Sequence, residues 1–218
     1  MSYYMRSMRK EDVAQVTEID REPFPTLWPP VNYQRELQNR LAHYIVACKA
    51  EEVVEESEME ATTGKGFLHL ISRVGRLFNH SRFFSNKLSS GKQYVVGFAG
   101  FWMMAGEAHI INVAVRGLHR RQGIGELLLI SIMSLGTELN AHIITLEVRA
   151  SNITAQRLYS KYGFTQVGLR RGYYSDNRED GVLMSTENIT LASFQVRFQQ
   201  LKQAHSKKWG IALSHIAR

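Results

Sequence analysis

The sequence predicts an α/β protein with a mixed sheet and helices on its faces. Three observations carry this. From Gln93 onward, apolar runs of period two alternate at short spacing with runs of helical period. Two strand-like runs, "QYVVGFAGFWMMAG" and "EAHIINVAV", meet at Gly106-Glu107, a tight-hairpin signal. The stretch "INVAVRGLHRRQGIGELLLISI", residues 111 to 132, passes from β-forming residues through bases and glycines into a leucine-rich helix.

Taken in order, "SYYMRSM" (residues 2–8) reads as a first strand, and residues 10–20 as a helix with Val13, Val16 and Ile19 at helical spacing. Pro23, Pro25, Pro29 and Pro30 then make a stiff loop, because proline fixes φ and disfavours helix in the residue before it. Phe24, Leu27 and Trp28 are presented on that loop. A helix over about 31–40 and a strand over 43–49 follow. After the hairpin, Ile124, Leu127, Leu128, Ile132 and Leu135 mark a helix to about 139. "AHIITLEV" reads as a strand, "SNITAQRLYSKYG" as a helix that stops at Gly163, and "FTQVGLRRGYY" and "DGVLMST" as two closing strands. Leu191, Phe194, Phe198 and Leu201 sit at helical spacing in the tail, ahead of Lys207 and Lys208.

With 218 residues, 44% of them hydrophobic, the chain can close a sizeable core. No apolar run approaches the roughly 18 residues of a membrane span, and "MSYYMRSMRKED" lacks the apolar block of a secretory signal, so a soluble cytoplasmic protein is expected. A single cysteine, Cys48, rules out an internal disulfide, and its setting in "HYIVACK" suits a buried packing residue. No CxxC or HExxH occurs among eight scattered histidines, so no metal is expected. The net charge of +7 is local in origin. Residues 51–60 hold six acids and no base, residues 65–92 six bases and no acid, and residues 190–218 five bases and no acid. The remainder is close to neutral.

Arg120, Arg121, Gln122, Gly123 and Gly125 stand at the mouth of a helix. A helix N-terminus exposes unpaired N–H groups and the positive end of the macrodipole, so it binds anions without side chains. Glycine lets a bulky anion touch the main chain, and the arginines add charge. The spacing is neither a P-loop, since no GxxxxGK[ST] is present, nor a dinucleotide fingerprint, since Leu128 stands in place of the third glycine. An ordinary strand-to-helix turn with solvated arginines explains the same residues.

Downstream residues narrow this choice. "RRQGIG" fits the R/Q-x-x-G-x-G/A signature of the GNAT N-acetyltransferases, and "LEVRASNITAQRLYSKYGF" followed by "RRGYYSDNREDGVLM" resembles the bacterial RimI group, which acetylates protein N-termini. The resemblance runs from about 93 to 186, with weaker agreement over 1–49. It implies a mixed, mostly antiparallel central sheet with splayed central strands. It also implies acetyl-CoA as donor, its diphosphate cradled by backbone N–H groups of Arg121, Gln122, Gly123, Ile124, Gly125 and Glu126, beside Arg120. The main chain at Val113, Ala114 and Val115 is implied to meet the pantetheine and to stabilise a developing oxyanion. Asn152 is implied to hydrogen-bond pantetheine, although a helix-capping role for Ser151 or Asn152 also explains that pair.

Glu147 is implied to be the general base. Read by itself, "IITLEV" places Ile144, Leu146 and Val148 on one face and Ile143, Thr145 and Glu147 on the other, so a carboxylate ends an otherwise buried strand. An ion pair with Arg149 on the same face is the alternative explanation. An α-amino group with a pKa of about 7.7–8.0 is an easier target for a carboxylate base than a lysine side chain at about 10.4. Tyr159 is implied to be the general acid that protonates the leaving thiolate, where helix packing alone would explain a tyrosine. No G-x-S-x-G elbow occurs, which agrees with direct attack by the amine.

The resemblance places the substrate groove between "EPFPTLW" and "RRGYYSDNRED", with Phe24, Trp28, Tyr173 and Tyr174 as its apolar walls. The implied partner is a protein N-terminus, and the best-known target of the group is the N-terminal alanine of a ribosomal protein. The chain departs from the family over about 51–92, far longer than an ordinary strand connection. There Phe67, Leu70, Ile71, Val74, Leu77 and Phe78 form one face of an amphipathic helix with bases opposite, suited to docking on the parent domain or to contact with RNA, anionic lipid or an acidic partner. The expected organisation is an acetyltransferase domain over 1–188 carrying this insertion, then a basic helical tail over 189–218. Acetylation of a lysine side chain or small amine, and coenzyme A binding without turnover, remain the competing readings.

Overall fold

A computed structural model describes residues 3–22, 31–49 and 93–210. Phe24 and Trp28, and the amphipathic pattern within 51–92, lie outside the described residues. The strands are β1 (Tyr3–Ser7), β2 (Ala42–Lys49), β3 (Val95–Met104), β4 (Glu107–Val115), β5 (Ile143–Arg149), β6 (Phe164–Tyr174) and β7 (Glu179–Thr186). The helices are α1 (Val13–Arg21), α2 (Tyr33–Glu36), α3 (Ile124–Glu138), α4 (Ile153–Lys161) and α5 (Ala192–Trp209). The strands form one sheet in the order β1-β2-β3-β4-β5-β7-β6. Every neighbouring pair is antiparallel except β4 and β5. This is the mixed α/β architecture the sequence predicts.

The central strands read as continuous apolar runs because both faces of the sheet are covered. On one face, Val16 and Ile19 of α1 and Tyr33 of α2 pack with Val46, Cys48, Val95 and Phe98. On the other, Ile124, Leu127, Leu128 and Ile132 of α3 pack with Ile45, Ala99, Phe101 and Ile144. Phe194 and Phe198 of α5 join this second core. Cys48 is fully buried, and burial pushes its thiol pKa up. At the β1 edge Arg6 holds Asp12 through two bonds, Nη1 to Oδ2 at 2.6 Å and Nη2 to Oδ1 at 2.8 Å. Removing one member of such a buried pair costs about 3–5 kcal/mol, because the other is left charged and unpaired.

Two elements differ from expectation. The helix expected over 31–40 is the single turn α2. Asn32 caps it by accepting from the Arg35 amide at 3.1 Å, and the Asn39 side chain accepts from the Leu41 amide at 3.1 Å, which turns the chain into β2. The hairpin turn falls at Ala105 and Gly106, not Gly106 and Glu107. Both residues have positive φ, 48° and 81°, and Met104 faces Glu107 as the last strand pair. Two successive positive φ values match the twist of the flanking strands.

Candidate active site

The site begins where a ladder stops. β4 pairs in parallel with β5 only over Glu107–Ile110 against Ile143–Leu146. Beyond that, β4 keeps β3 as its neighbour, with a bulge that leaves Ile111 unpaired between Ile110 and Asn112. The Arg116 amide bonds to the Val96 carbonyl at 2.9 Å, so by alternation the main-chain groups of Val113 and Val115 point away from β3, toward the gap left by β5. The Val115 carbonyl there accepts from Arg120 Nε at 3.0 Å.

A cavity of about 280 Å³ opens in this gap. It is lined by Asp20 of α1 and Val31, by Ile111, Asn112 and Ala114 of β4, by Leu146, Glu147 and Val148 of β5, and by Asn152, Tyr159 and Tyr174. Val113 also lines it. The fold thus gathers Glu147, Tyr159, Asn152, Val113, Ala114 and Tyr174, singled out in the sequence, around one space. Tyr173 does not line it; it is partly exposed, with its ring edge-on to Tyr174 and Arg170 over its face.

The Glu147 side chain is only 5% exposed, yet its partner is not Arg149. Oε2 lies 3.1 Å from His109 Nε2 and Oε1 lies 2.9 Å from Arg170 Nη2. The His109 contact, with help from Arg170, holds the Glu147 pKa below the usual carboxylate value against the opposing effect of burial. His109 Nδ1 lies 2.7 Å from Thr145 Oγ1, and Thr145 in turn donates to Glu107. A file of polar groups therefore runs from the cavity along β4 and β5. Arg149 instead binds Asp176 at 2.7 Å and Glu179 at 3.1 Å, and stacks over Tyr174 at 4.0 Å. Glu179 also accepts from the Ser151 amide at 2.7 Å, so the β6–β7 turn is tied to the start of α4.

Tyr159 reaches the cavity from α4, its ring against Phe164. Burial pushes its hydroxyl pKa up to about 12, so the phenol keeps its proton throughout the neutral range. Asn152, rather than Ser151, caps α4 by accepting from the Ala155 amide at 3.1 Å while it also lines the cavity. Tyr162 lies apart, donating to Glu126 at 2.8 Å.

The glycine loop enters α3 with no side-chain cap, and the first intrahelical bond runs from Leu127 to Gly123. The amides of Ile124, Gly125 and Glu126 therefore have no partner within the helix. The two glycines differ. Gly123 has φ of 79°, and a Cβ there would stand 2.6 Å from the Trp209 ring. Gly125 has no atom nearer than 3.8 Å to an added Cβ, so protein packing does not account for its bare Cα. Arg121, at φ of 62°, is exposed, and Gln122 accepts from the Tyr3 hydroxyl at 2.7 Å. His205 of α5 contacts the Gly123 carbonyl at 3.0 Å.

An uncapped helix mouth with one open glycine, a strand half with a neighbour on one side only, and a carboxylate and a phenol lining one cavity are features that an acyl-transfer class of site would use. Comparison with known proteins agrees: residues 13–164 match the model of the Acetyltransferase (GNAT) family, and the chain belongs to that family. It is an acetyl-CoA-dependent acetyltransferase. The chain is 32% identical over 181 residues to a Bacillus subtilis (strain 168) protein provisionally named a ribosomal protein bS18-alanine N-acetyltransferase, covering 83% of this chain and 92% of that one. It is 30% identical over 184 residues to an N-alpha-acetyltransferase of Sulfurisphaera tokodaii, covering 84% and 92%. The fold superposes on the crystal structure of the ribosomal-protein-S18-alanine N-acetyltransferase from Escherichia coli with a TM-score of 0.56 at 21% identity, over 84% of this chain and 92% of that one.

Proposed function

We propose that the chain transfers the acetyl group of acetyl-CoA to the N-terminal α-amino group of a protein, with Glu147 as general base and Tyr159 as general acid. The observation that carries this reading is that Glu147 and Tyr159 line one cavity at the point where β4 and β5 part. The relatives named for the alanine of ribosomal protein bS18 support a ribosomal protein with N-terminal alanine as substrate. We keep 1–188 as the acetyltransferase domain and 189–218 as its tail.

The residues present fit coenzyme A. The free amides at the start of α3 and the open Cα of Gly125 suit a diphosphate, with Arg121 beside them. The outward main chain at Val113 suits the amides of pantetheine as an added strand. When bound, acetyl-CoA supplies the activated acyl group. Glu147 accepts the proton of the attacking amine, and the contacts from His109 and Arg170 hold its carboxylate in place. Tyr159 holds its own proton at the cavity wall for the leaving sulfur. The apolar lining by Ile110, Val113, Leu146 and Val148 excludes water and strengthens these polar interactions.

The test is thiol release from acetyl-CoA with an Ala-first peptide, the same peptide with a blocked N-terminus, and a free polyamine. Turnover is expected with the first alone. Turnover confined to the polyamine, or coenzyme A binding with no turnover on any amine, overturns the reading.

A further inference from the structure

The cavity that Glu147 lines holds a second carboxylate. Asp20 lines the cavity from the last turn of α1 and is half-buried. Its helical neighbours have cations: Glu18 binds Arg116 at 2.7 Å, and Glu22 lies 3.8 Å from both Arg116 and Arg120. Asp20 has no cationic partner among the described residues. A carboxylate in the last turn of a helix also opposes the negative end of the macrodipole. Neither the helix nor an ion pair accounts for it.

What surrounds Asp20 holds it in position. The Tyr33 hydroxyl engages the Asp20 carboxylate and accepts from Asn112 Nδ2 at 2.9 Å. A phenol has one proton, so giving it to Asp20 obliges the amide to present its nitrogen to the tyrosine oxygen. Asn112 Oδ1 is thereby buried with no partner. Turning the amide would leave Nδ2 unmet in place of that oxygen and would draw the tyrosine proton away from Asp20. Only the observed orientation leaves the tyrosine proton to the carboxylate, which keeps Asp20 oriented.

We infer that Asp20 is the receptor for the ammonium form of the substrate amine, held in place by Tyr33 and Asn112, while Glu147 in the same cavity takes the proton. The inference rests on the function proposed above and divides its two tasks between two carboxylates. Burial raises the Asp20 pKa, as expected for a group whose charge lacks a counter-ion until a cation arrives.

Steady-state kinetics with an Ala-first peptide, and calorimetric binding of that peptide and its desamino analogue to the protein with coenzyme A, test this. Asp20→Asn is expected to raise KM for the Ala-first peptide at least about 10-fold, the scale of a lost charge-assisted hydrogen bond, with kcat within about 3-fold and coenzyme A affinity unchanged. Wild type is expected to prefer the amino peptide to the desamino one at least about 10-fold, and the variant to lose that preference. If wild type turns over the peptide and Asp20→Asn changes neither KM nor the preference by that much, the inference is overturned while the proposed function stands. If wild type is inert toward N-terminal peptides, both fall together. Should Asp20→Asn fail to fold, Tyr33→Phe decides: it keeps the ring packing, and a rise in KM of at least about 3-fold is expected, a smaller one overturning the inference.

Discussion

Strand β4 is two strands in one. Its first half, Glu107–Ile110, is bonded to β3 on one side and β5 on the other, whereas its second half, Asn112–Val115, has β3 alone. The residues facing the first half, Ile144 and Leu146, are buried in the core; next along β5 comes Glu147, at the cavity. An unmet buried backbone group costs about 1–3 kcal/mol, so an interrupted ladder is tolerated where a ligand can complete it. The comparison teaches a division of labour along one strand: the closed half secures the fold, and the open half is left to border the cavity.

Substitutions on either side of the junction should separate these effects. The largest is expected at the open end, where Glu147→Gln or Tyr159→Phe lowers kcat about 10²-fold or more with coenzyme A affinity within a few-fold, seen by steady-state kinetics and calorimetry. Wild-type turnover in both variants would make the two halves equivalent. At the closed end Ile144, fully buried, should behave in the opposite way: Ile144→Ala is expected to cost about 2–5 kcal/mol in denaturant unfolding while KM stays unchanged below the melting transition.

The glycine loop offers a finer version of the same contrast. Gly123→Ala meets both a positive φ and the Trp209 ring, and should lose about 1–3 kcal/mol of stability. Gly125→Ala meets ordinary contacts only, so stability should hold or rise by up to about 1 kcal/mol while coenzyme A binding weakens about 10-fold. Equal effects in calorimetry and melting would erase the distinction. The smallest effect concerns pH. The folded pKa of Glu147 lies below its ordinary value of 4.5, so its contribution to stability is present above that value and lost as pH falls through the lower folded one. The stability difference between wild type and Glu147→Gln, followed by melting, should therefore be largest near neutrality and shrink below about pH 4.

Much of this was legible in the chain. Period-two and helical spacing locate β3 to β7 and α3 to α5 because each element buries one face or both, and burial writes itself into composition. The glycine loop, Asn152, Glu147 and Tyr159 stand close together in sequence, inside one strand–helix–strand–helix passage, and a local pattern can hold them. His109, Arg170 and Asp20 were missed for the complementary reason. His109 meets Glu147 only through the parallel register that sets His109 beside Thr145, and Arg170 arrives from β6 across β7. Asp20 reads as one more acid on an amphipathic helix until its neighbours are seen to have cationic partners and it to have none among the described residues. The lone signal for it in the sequence was an acid at a helix end that disfavours one. The pairing of Glu147 with Arg149 failed likewise: shared parity along β5 says nothing of the turn between β6 and β7 that captures the arginine.

Helix α5 begins well after residue 164, where the match to the family ends, yet Trp209 and His205 rest against Gly123 at the mouth of α3. The boundary drawn by kinship is thus not the mechanical one. Shortening the chain to its shared portion would strip this buttress from behind the glycine loop, so the last helix belongs to the same mechanical unit as the loop.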